Sequence, residues 1–292
     1  MIESKYIYTD VLMDKHTTFK IGGAADVMVF PETEEQISSV IRFCSDNDVP
    51  WMVIGKGSDL LVSDKGIRGV VIKLGDNFSG IEQHDQLLDV KAGTTLTRTA
   101  LFALKCDFSG LEFASGIPGT VGGGILMNAG AYDGEISKVL LTSRYMDTNG
   151  TVYELKEAEH NFSYRHSVYQ ENGGIILSGV FHLQKGIASD IEGKMSDFNK
   201  SRRDKQPLDL PSAGSSFKRP VGYYAAKLIN ECGLKGYTAG GAQVSEKHSG
   251  FIVNRENATC SDVLNVIEHI KCTVYKQTGI LMETEIKVVG EF

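Results

Sequence analysis

The apolar positions near the start of the chain predict a β-α-β unit. Residues 26–30 (DVMVF) form an apolar run that a proline ends, as expected of a strand. Thr33 and Gln36 stand at the spacing of a capping box, which marks the start of a helix. The apolar residues behind this cap are spaced as one helical face requires, namely Ile37, Val40, Ile41 and Cys44. Residues 51–54 (WMVI) predict a second, short buried strand, and Gly55 opens a loop at its end.

The middle of the chain is richer in strand patterns. One helix is predicted between Thr95 and Cys106. Apolar and alternating runs predict strands on both sides of this helix, at residues 69–74, 87–90, 145–155 and 174–183.

The last third of the chain alternates helix and strand again. Two helical stripes are predicted, one through Ile187, Ile191, Met195 and Phe198 and the other through Val263, Ile267, Ile270 and Val274. Gly279 is expected to end the second helix. Residues 280–289 then alternate as a strand, with Ile280, Met282, Thr284, Ile286 and Val288 on one side and Leu281, Glu283, Glu285 and Lys287 on the other.

Size and composition indicate an ordinary globular protein of two or three domains. The chain has 292 residues, of which 41% are hydrophobic and 23% are charged, and its formal net charge is -7. This acidic balance argues against a nucleic-acid binder that relies on a broadly basic surface. No apolar run approaches the length of a signal-peptide core or of a membrane span, so we expect a cytoplasmic protein without a membrane partner.

The cysteines and histidines show no metal-binding pattern. The five cysteines are odd in number, far apart and without a C-x-x-C pair, so we expect buried free thiols. The seven histidines include no H-E-x-x-H motif, and no metal site is predicted. His248 has no chemical role that the sequence supports, and we interpret it as structural.

Two glycine-rich segments indicate a phosphate-binding site. They are Val53–Val62 (VIGKGSDLLV) and Ser115–Tyr132 (SGIPGTVGGGILMNAGAY), and the second has no charged side chain. Clustered glycines let a backbone approach a ligand closely and direct several N–H groups at a phosphate. Neither segment is a P-loop or a Rossmann fingerprint, since Leu60 stands where the third glycine of the fingerprint belongs. A turn or bulge would explain either segment alone, but both together favour a dinucleotide site.

Motifs along nearly the whole chain resemble the UDP-N-acetylenolpyruvoylglucosamine reductases, the flavoenzymes of peptidoglycan precursor synthesis. In chain order the motifs are TTFKIGG (17–23), GKGSD (55–59), SGLEFASGIPGTVGG (109–123), MNAGAY (127–132), FSYRHS (162–167), PSAGSSFKRP (211–220) and LMETEI (281–286). The length is similar to that of the shorter type of this reductase, which lacks an extra loop over the substrate.

The resemblance implies an α+β protein with an FAD-binding fold of the vanillyl-alcohol oxidase type. Two α/β subdomains would hold FAD, and a C-terminal α+β domain would bind substrate. We accordingly predict an N-terminal subdomain at 1–68 joined by a C-terminal strand at 280–292, a second FAD-binding subdomain at 69–188 and a substrate domain at 189–279. Non-covalent FAD contacts are expected at Ile54, Gly55, Lys56, Gly57, Ser58, Asp59, Leu60, Ser115, Gly116, Ile117, Pro118, Gly119, Thr120, Gly122, Gly123, Asn128, Ala129 and Gly130.

The implied reaction is the NADPH-dependent reduction of UDP-N-acetylglucosamine enolpyruvate to UDP-N-acetylmuramate. Hydride would pass from NADPH through the flavin to the methylene carbon, leaving negative charge beside the substrate carboxylate. The resemblance implies that Arg165 would stabilise this charge, that Ser215 would donate the proton and that Glu285 would help to hold the carboxylate. Ser216 is an adjacent alternative to the serine, and Glu283 lies on the same predicted strand face as the glutamate. Only the motif register separates each pair.

The resemblance also assigns residues to the sugar nucleotide. Lys205, Lys218 and Arg219 match residues that grip its diphosphate and sugar. Arg219 departs from the asparagine of some family members, and Asp59 departs from the common G-x-G-S-N. The expected partner is thus a small-molecule sugar nucleotide, and we expect a monomer or weak homo-oligomer that binds no nucleic acid.

Two other functions share part of this pattern. An FAD-dependent alcohol or sugar oxidase of the same fold would use dioxygen as acceptor. A non-catalytic flavin-binding module would keep the glycine-rich segments but lose at least one catalytic residue. The joint presence of Arg165, Ser215 and Glu285 argues against both.

Overall fold

The computed structural model describes residues 2–292 as a mixture of helices and strands. The α-helices are α1 (Glu34–Asp46), α2 (Leu96–Lys105), α3 (Val121–Leu126), α4 (Tyr169–Asn172), α5 (Ala188–Lys205), α6 (Ala225–Glu231) and α7 (Cys260–Thr278). The strands are β1 (Ile7–Leu12), β2 (Ala24–Val29), β3 (Trp51–Ile54), β4 (Leu60–Val62), β5 (Ile67–Lys73), β6 (Ile81–His84), β7 (Leu87–Lys91), β8 (Phe108–Ser109), β9 (Gly130–Ala131), β10 (Gly134–Glu135), β11 (Leu140–Met146), β12 (Val152–Lys156), β13 (Ile175–His182), β14 (Gln184–Lys185), β15 (Ser212–Ser215), β16 (Thr238–Ala239), β17 (Ala242–Val244), β18 (Phe251–Asn254) and β19 (Lys287–Val289).

The chain divides into two compact units, each assembled from separate stretches. Unit 1 contains the residues up to Tyr8, Val27–Lys56 and Gly69–Arg202. Unit 2 contains Thr9–Asp26, Gly57–Arg68 and Arg203–Phe292. The finer division into two FAD-binding subdomains and a substrate domain stays a prediction.

The first helix of unit 1 forms as its sequence pattern predicts. The Thr33 side chain accepts a hydrogen bond from the backbone N–H of Gln36 and so caps α1. The Gln36 side chain reaches back to the N–H of Glu32, one residue before the position that a capping box requires. All four predicted apolar positions of α1 are buried, and β3 pairs in parallel with β5. The helix is therefore held by its cap and by its apolar face.

A five-stranded antiparallel sheet, in the order β12-β11-β13-β7-β6, forms the larger part of unit 1. The predicted strand at 145–155 is wrong, because a turn divides it into β11 and β12. Asp147 makes this turn by accepting hydrogen bonds from the N–H groups of Asn149 and Thr151. Gly150 completes it with φ of 82°. Helix α2 ends one residue inside the predicted range and is capped by Thr95.

Unit 2 contains a four-stranded antiparallel sheet, in the order β15-β18-β17-β16. Helix α7 buries its predicted apolar face against the core of this unit, at Val263, Ile267, Ile270 and Val274. Thr259 and Asp262 form a reciprocal capping box at its start, and Gly279 ends it with φ of 72°. Strands β19 and β4 pair in parallel in the same unit.

Two predictions at the ends of elements are wrong, and the prediction of buried thiols is correct for only two of the five cysteines. The predicted strand at 280–289 is formed only at β19 and at a single bridge between Thr284 and Phe217. Its two faces do not alternate cleanly, because Met282 and Ile286 are buried whereas Val288 is 38% exposed. Ile187 precedes α5 and is 67% exposed, so it lies outside the apolar stripe. Buried thiols are found only at Cys44 and Cys260 among the five free cysteines.

Neither a membrane-spanning helix nor a metal cluster is found among residues 2–292. None of their helices combines the length and apolar content that crossing a membrane needs. No group of three or more His, Cys, Asp or Glu side chains in this range is arranged to hold a metal ion.

Candidate functional site

The two glycine-rich segments meet in unit 1. Strand β3 ends at Ile54, and Gly55 follows it directly. A Cβ atom at Gly55 would collide with Oγ1 of Thr120 and would lie 3.2 Å from the Cβ and Cγ2 atoms of the same side chain. Glycine at this position therefore lets the loop after β3 approach the start of α3. Lys56 is the last residue of the first segment that belongs to unit 1.

Different features explain the three consecutive glycines of α3. A Cβ at Gly122 would lie 3.0 Å from Cβ of Ala92, and one at Gly124 would lie 3.1 Å from Cδ2 of Leu96. Both glycines are therefore explained by packing inside unit 1. Gly123 is exposed, and a Cβ there would meet only Oγ1 of Thr120, at 3.7 Å. The fold thus has room for a side chain at Gly123.

The open backbone at Gly123 fits the predicted cofactor. Thr120 caps α3 by accepting a hydrogen bond from the N–H of Gly123, at 3.5 Å. A pyrophosphate that approaches this backbone needs the space that a side chain would fill. The surroundings of Gly123 leave that space, so the residues present fit a bound FAD.

The beginning of the second glycine-rich segment packs against α5. Ser115 Oγ donates to the carbonyl oxygen of Glu112 (2.9 Å) and accepts from Nδ2 of Asn199 (3.2 Å). A Cβ at Gly116 would collide with Oδ1 of Asn199 and would lie 3.0 Å from Nη1 of Arg202. Burial lowers the pKa of Arg202, and the nearby Tyr132 phenol opposes this shift. Asn199 and Arg202 were not predicted, although they stand three residues apart and so share one face of α5.

The rest of the first glycine-rich segment belongs to unit 2. Gly57 has φ of 64°, and a Cβ there would collide with the carbonyl oxygen of His16. The carbonyl oxygen of Asp59 accepts a hydrogen bond from the N–H of Lys287 (2.9 Å). Burial lowers the pKa of Lys287, and the Asp59 carboxylate opposes this shift. Leu60 then begins β4. Backbone geometry accounts for Gly57, as it does in many tight turns.

Asn128 does not direct its carboxamide to an open surface. Its Nδ2 atom donates to the carbonyl oxygen of Ser163 (3.1 Å), and its Oδ1 atom accepts from the N–H of Ser137 (2.9 Å). The residue is buried and has φ of 42°. The next two predicted cofactor contacts are half-buried: Ala129 lies just before β9, and Gly130 is its first residue. Cofactor contact at these three positions stays a prediction.

Arg165 lies in a tight turn of unit 1. Ser163 and His166 exchange two backbone hydrogen bonds, each 3.2 Å long, around Tyr164 and Arg165. Arg165 is half-buried, has φ of 57° and places its guanidinium carbon 5.0 Å from the centre of the Tyr164 ring. Its carbonyl oxygen accepts a hydrogen bond from Nε2 of Gln170 (3.0 Å). The predicted catalytic arginine is therefore held at a defined backbone position.

A buried polar group supports the base of this turn. The carbonyl oxygen of His160 accepts a hydrogen bond from the N–H of Val168 (2.9 Å). His160 Nε2 and the Tyr169 hydroxyl each lie 2.7 Å from Oγ of Ser143. Burial lowers the pKa of His160 and raises that of Tyr169 to about 12. Both rings are therefore neutral at pH 7, as a buried hydrogen-bonded network requires.

In unit 2, the structure distinguishes the two adjacent serines. Ser216 is fully buried, and its Oγ atom accepts a hydrogen bond from the N–H of Ile252 (3.0 Å). Ser215 ends β15, is half-buried and follows Gly214, whose φ is 75°. Ser216 is therefore enclosed within the sheet, whereas Ser215 is partly accessible, and the proton-donor role of Ser215 stays a prediction.

The two candidate glutamates also differ. The N–H of Lys218 donates to the carbonyl oxygen of Glu283 (2.9 Å), and the N–H of Glu285 donates to that of Ser216 (3.0 Å). These two bonds align residues 283–285 with residues 216–218. The Glu283 side chain is 72% exposed and forms an ion pair with Lys218 (2.5 Å). Glu285 is half-buried and adjacent in register to Ser216, which supports its assignment over Glu283.

The remaining predicted residues of unit 2 lie at its surface. Lys205 and Arg219 are exposed, and the Arg219 guanidinium carbon lies 4.7 Å from the centre of the Tyr224 ring. His248 Nδ1 accepts a hydrogen bond from the N–H of Gly250 (3.2 Å), and burial lowers the pKa of its ring. These contacts fit the structural interpretation of His248.

Comparison with known proteins identifies the families that the two parts of the chain match. Residues 25–156 match a family described as an FAD binding domain, and residues 206–289 match the C-terminal domain of UDP-N-acetylenolpyruvoylglucosamine reductase. The UDP-N-acetylenolpyruvoylglucosamine reductase of Clostridium novyi (strain NT) is 45% identical over 291 residues, which cover 100% of this chain and 94% of that protein. The enzyme of the same name from Caldanaerobacter subterraneus subsp. tengcongensis is 47% identical over 285 residues, covering 98% and 94%.

A solved structure gives the same result for the fold. The crystal structure of UDP-N-acetylenolpyruvylglucosamine reductase from Thermus caldophilus superposes with a TM-score of 0.82 at 33% identity, over 95% of this chain and 97% of that one. Together with the FAD-binding match, this confirms the predicted FAD-binding fold and FAD as the cofactor. The chain belongs to the UDP-N-acetylenolpyruvoylglucosamine reductase family of FAD-dependent oxidoreductases.

Proposed function

We propose that this protein reduces UDP-N-acetylglucosamine enolpyruvate to UDP-N-acetylmuramate with NADPH, as a cytoplasmic step of peptidoglycan precursor synthesis. The observation that carries the proposal lies in unit 2. The paired backbone hydrogen bonds between residues 216–218 and 283–285 bring the Ser215 and Glu285 positions close together. A proton donor and a carboxyl group at neighbouring backbone positions suit the protonation of a carbon next to a carboxylate.

Each catalytic residue has one role in the proposed reaction. Bound FAD supplies the hydride carrier between NADPH and the substrate. The planar Arg165 guanidinium stabilises the negative charge that develops at the substrate carboxylate. The Ser215 hydroxyl donates the proton to the neighbouring carbon, and Glu285 helps to hold the carboxylate in place. Ser216 is the weaker candidate for the proton-donor role, because it is fully buried and its oxygen accepts from the N–H of Ile252.

The proposed FAD contacts are the loop after β3 and the start of α3. Gly55 permits their close approach, and Gly123 leaves its backbone open to a pyrophosphate. The proposed contacts to the diphosphate and sugar of the substrate are Lys205, Lys218 and Arg219. Two of these side chains are exposed and the third, Lys218, is half-buried and paired with Glu283. Cationic side chains at these positions suit a diphosphate.

The test separates the two halves of the reaction. NADPH is added anaerobically to the yellow holoenzyme, and loss of the flavin absorbance is followed by stopped flow. The enolpyruvyl sugar nucleotide is then added, and return of the absorbance is measured. Ser215→Ala is expected to leave the first rate within about twofold and to slow the second by about 10²- to 10⁴-fold.

Three outcomes would contradict the proposal. A protein that cannot be reconstituted with FAD would remove the cofactor, and dioxygen as a better acceptor than the sugar nucleotide would indicate an oxidase. Equal loss of both rates in Ser215→Ala would indicate a structural role for the serine. Ser216→Ala provides the matched control, since it removes a hydroxyl at the next position that is enclosed within the sheet.

A further inference from the structure

Arg165 lies in a tight turn that is under backbone strain. Only two residues, Tyr164 and Arg165, separate the hydrogen-bonded pair Ser163 and His166. Arg165 adopts φ of 57°, a left-handed conformation that costs a side-chain-bearing residue free energy. A turn of this kind keeps its geometry only where its surroundings stabilise it.

Three side chains tie this turn to residues 126–128. Ser167 Oγ donates to the carbonyl oxygen of Leu126 (2.7 Å). Gln170 Nε2 lies 2.9 Å from the same carbonyl oxygen and 3.0 Å from that of Arg165. Asn128 Nδ2 donates to the carbonyl oxygen of Ser163, which already accepts from the N–H of His166. Of the three, Asn128 binds the residue that closes the turn.

The Asn128 carboxamide is itself held from both ends. Its oxygen accepts from the N–H of Ser137, and its nitrogen donates to the carbonyl oxygen of Ser163. Rotating the amide by 180° would place a donor against the N–H and an acceptor against the carbonyl, so only one orientation satisfies both partners. The side chain is only 2% exposed, and its polar atoms are used inside unit 1.

We infer that Asn128 is a positioning residue for Arg165 and that its side chain does not contact the cofactor. By holding the carbonyl oxygen of Ser163, the carboxamide fixes the strained turn and with it the direction of the guanidinium. Gln170 supports the same turn from the other side, through the carbonyl oxygen of Arg165. This inference rests on the proposed role of Arg165 at the substrate carboxylate.

Asn128→Asp tests the inference with the smallest change. Aspartate keeps the size of the side chain, tolerates positive φ and still accepts from Ser137. It replaces the donor to Ser163 with a carboxylate oxygen, which repels the carbonyl oxygen. Asn257→Asp is the matched control, because Asn257 is an exposed asparagine of unit 2 with φ of 52°.

The measurements are FAD affinity by fluorescence and the two half-reactions described above. We expect Asn128→Asp to keep FAD affinity and reduction by NADPH within about twofold and to slow oxidation by the sugar nucleotide at least about tenfold. In a variant that already carries Arg165→Lys, the same change should slow oxidation less than about threefold, because it acts through the arginine. Asn257→Asp should change neither half-reaction.

Several results would overturn the inference. A parallel loss of FAD affinity and of both half-reactions would make Asn128 a cofactor contact. If the double variant slows oxidation by the product of the two single-variant factors, Asn128 and Arg165 act independently. If Asn128→Asp fails to fold, Gln170→Glu decides, since it exchanges an exposed donor to Arg165 for an acceptor and should give the same split. Failure of the proposed function is distinct, because the wild-type enzyme itself would then not be oxidised by the sugar nucleotide.

Discussion

The candidate catalytic residues of unit 1 and those of unit 2 are held by different kinds of contact. Arg165 lies in a turn closed by two backbone hydrogen bonds, which the side chains of Asn128, Ser167 and Gln170 tie to neighbouring segments. Ser215 and Glu285 lie on segments that main-chain hydrogen bonds align. Backbone hydrogen bonds survive most side-chain exchanges, whereas a side-chain contact is lost with its residue. Removing a side-chain hydrogen bond next to the site should therefore affect function mainly in unit 1 and stability mainly in unit 2.

Two glycines show a related contrast, because one is required by a neighbouring side chain and the other by its own backbone conformation. They give the largest expected effect on stability and cofactor binding. Gly55 of unit 1 is required for space next to Thr120, whereas Gly214 of unit 2 has φ of 75° and, apart from its two chain neighbours, no residue within 4 Å of the position that a Cβ would take. Gly55→Ala should lower the free energy of unfolding by about 1–3 kcal/mol through overpacking and weaken FAD binding at least about tenfold. Gly214→Ala should cost about 1–2 kcal/mol through backbone strain alone. Urea unfolding and FAD titration measure both effects.

A second substitution tests whether steric contact with Thr120 causes the loss of stability in Gly55→Ala. Thr120→Gly removes the atoms that an alanine at position 55 would meet and costs only a few tenths of a kcal/mol as a helix cap. It should restore most of the stability lost in Gly55→Ala. If the double variant is no more stable than Gly55→Ala alone, steric contact with Thr120 is not the reason for this glycine.

Two buried serines test the comparison directly. Ser216→Ala leaves the N–H of Ile252 without its buried acceptor and should cost about 1–3 kcal/mol. Its backbone bonds to Gly250 and Glu285 remain, so oxidation by the sugar nucleotide should stay within about twofold of wild type at 25 °C. Ser167→Ala removes one tether of the Arg165 turn. It should cost only about 0.5–1.5 kcal/mol, because the carbonyl oxygen of Leu126 keeps its bond from Gln170.

The two serine substitutions should rank in the opposite order when the rate of oxidation by the sugar nucleotide is compared instead of stability. Ser167→Ala is expected to slow oxidation by the sugar nucleotide about threefold to tenfold, in spite of its smaller effect on stability. Urea unfolding gives the stabilities, and stopped-flow absorbance gives the rates. The comparison fails if Ser216→Ala slows this step more than Ser167→Ala does.

Local patterns predicted much of the fold but not the partners of its elements. Helix α1 begins after Thr33, and α7 ends at Gly279, because caps and apolar spacing lie within the helix sequence itself. The strand predicted at 280–289 failed because a strand needs a neighbour, and only β19 has one throughout, in β4. The Asp147 turn could have been predicted, since D-T-N-G is a turn sequence within the predicted strand.

In the candidate site, too, the sequence predicted which residues matter but not which atoms their side chains contact. Motif order favoured Ser215 and Glu285, and that choice stays a prediction; the structure adds that Ser216 is fully buried and that the Glu283 side chain is 72% exposed. The carboxamide of Asn128 could not be assigned from its own motif, because its partner Ser163 is 35 residues away. A motif indicates which residues matter, but the atom that each side chain binds depends on tertiary contacts.

Each unit also contains a histidine whose pKa is lowered by burial, the fully buried His160 in unit 1 and the half-buried His248 in unit 2. The unfolded chain therefore binds more protons than the folded protein between the folded pKa and about 6.5. Stability should fall as pH falls below about 6.5, by at most about 1.4 kcal/mol per pH unit for each histidine. His160, which is fully buried, should contribute the larger share.

Urea unfolding at pH 7.5 and pH 5.5 checks this expectation. His160→Gln and His248→Gln should each remove part of the loss, because glutamine does not titrate. The nearby Glu159 carboxylate favours the protonated form of His160 and so limits the size of the effect. A loss of stability that is unchanged in both variants would show that neither histidine causes it.

The smallest expected effect concerns the ion pair between Glu283 and Lys218. Glu283→Gln removes an exposed charge but leaves the bond from the N–H of Lys218 to the carbonyl oxygen of residue 283, which sets the register. We expect a stability change below about 1 kcal/mol and oxidation by the sugar nucleotide within about threefold of wild type. Glu285→Gln, measured in parallel by stopped flow, should slow that oxidation far more. If Glu283→Gln has the larger effect instead, the side chain of Glu283 takes the role assigned to Glu285, and backbone register alone does not define the catalytic residues of unit 2.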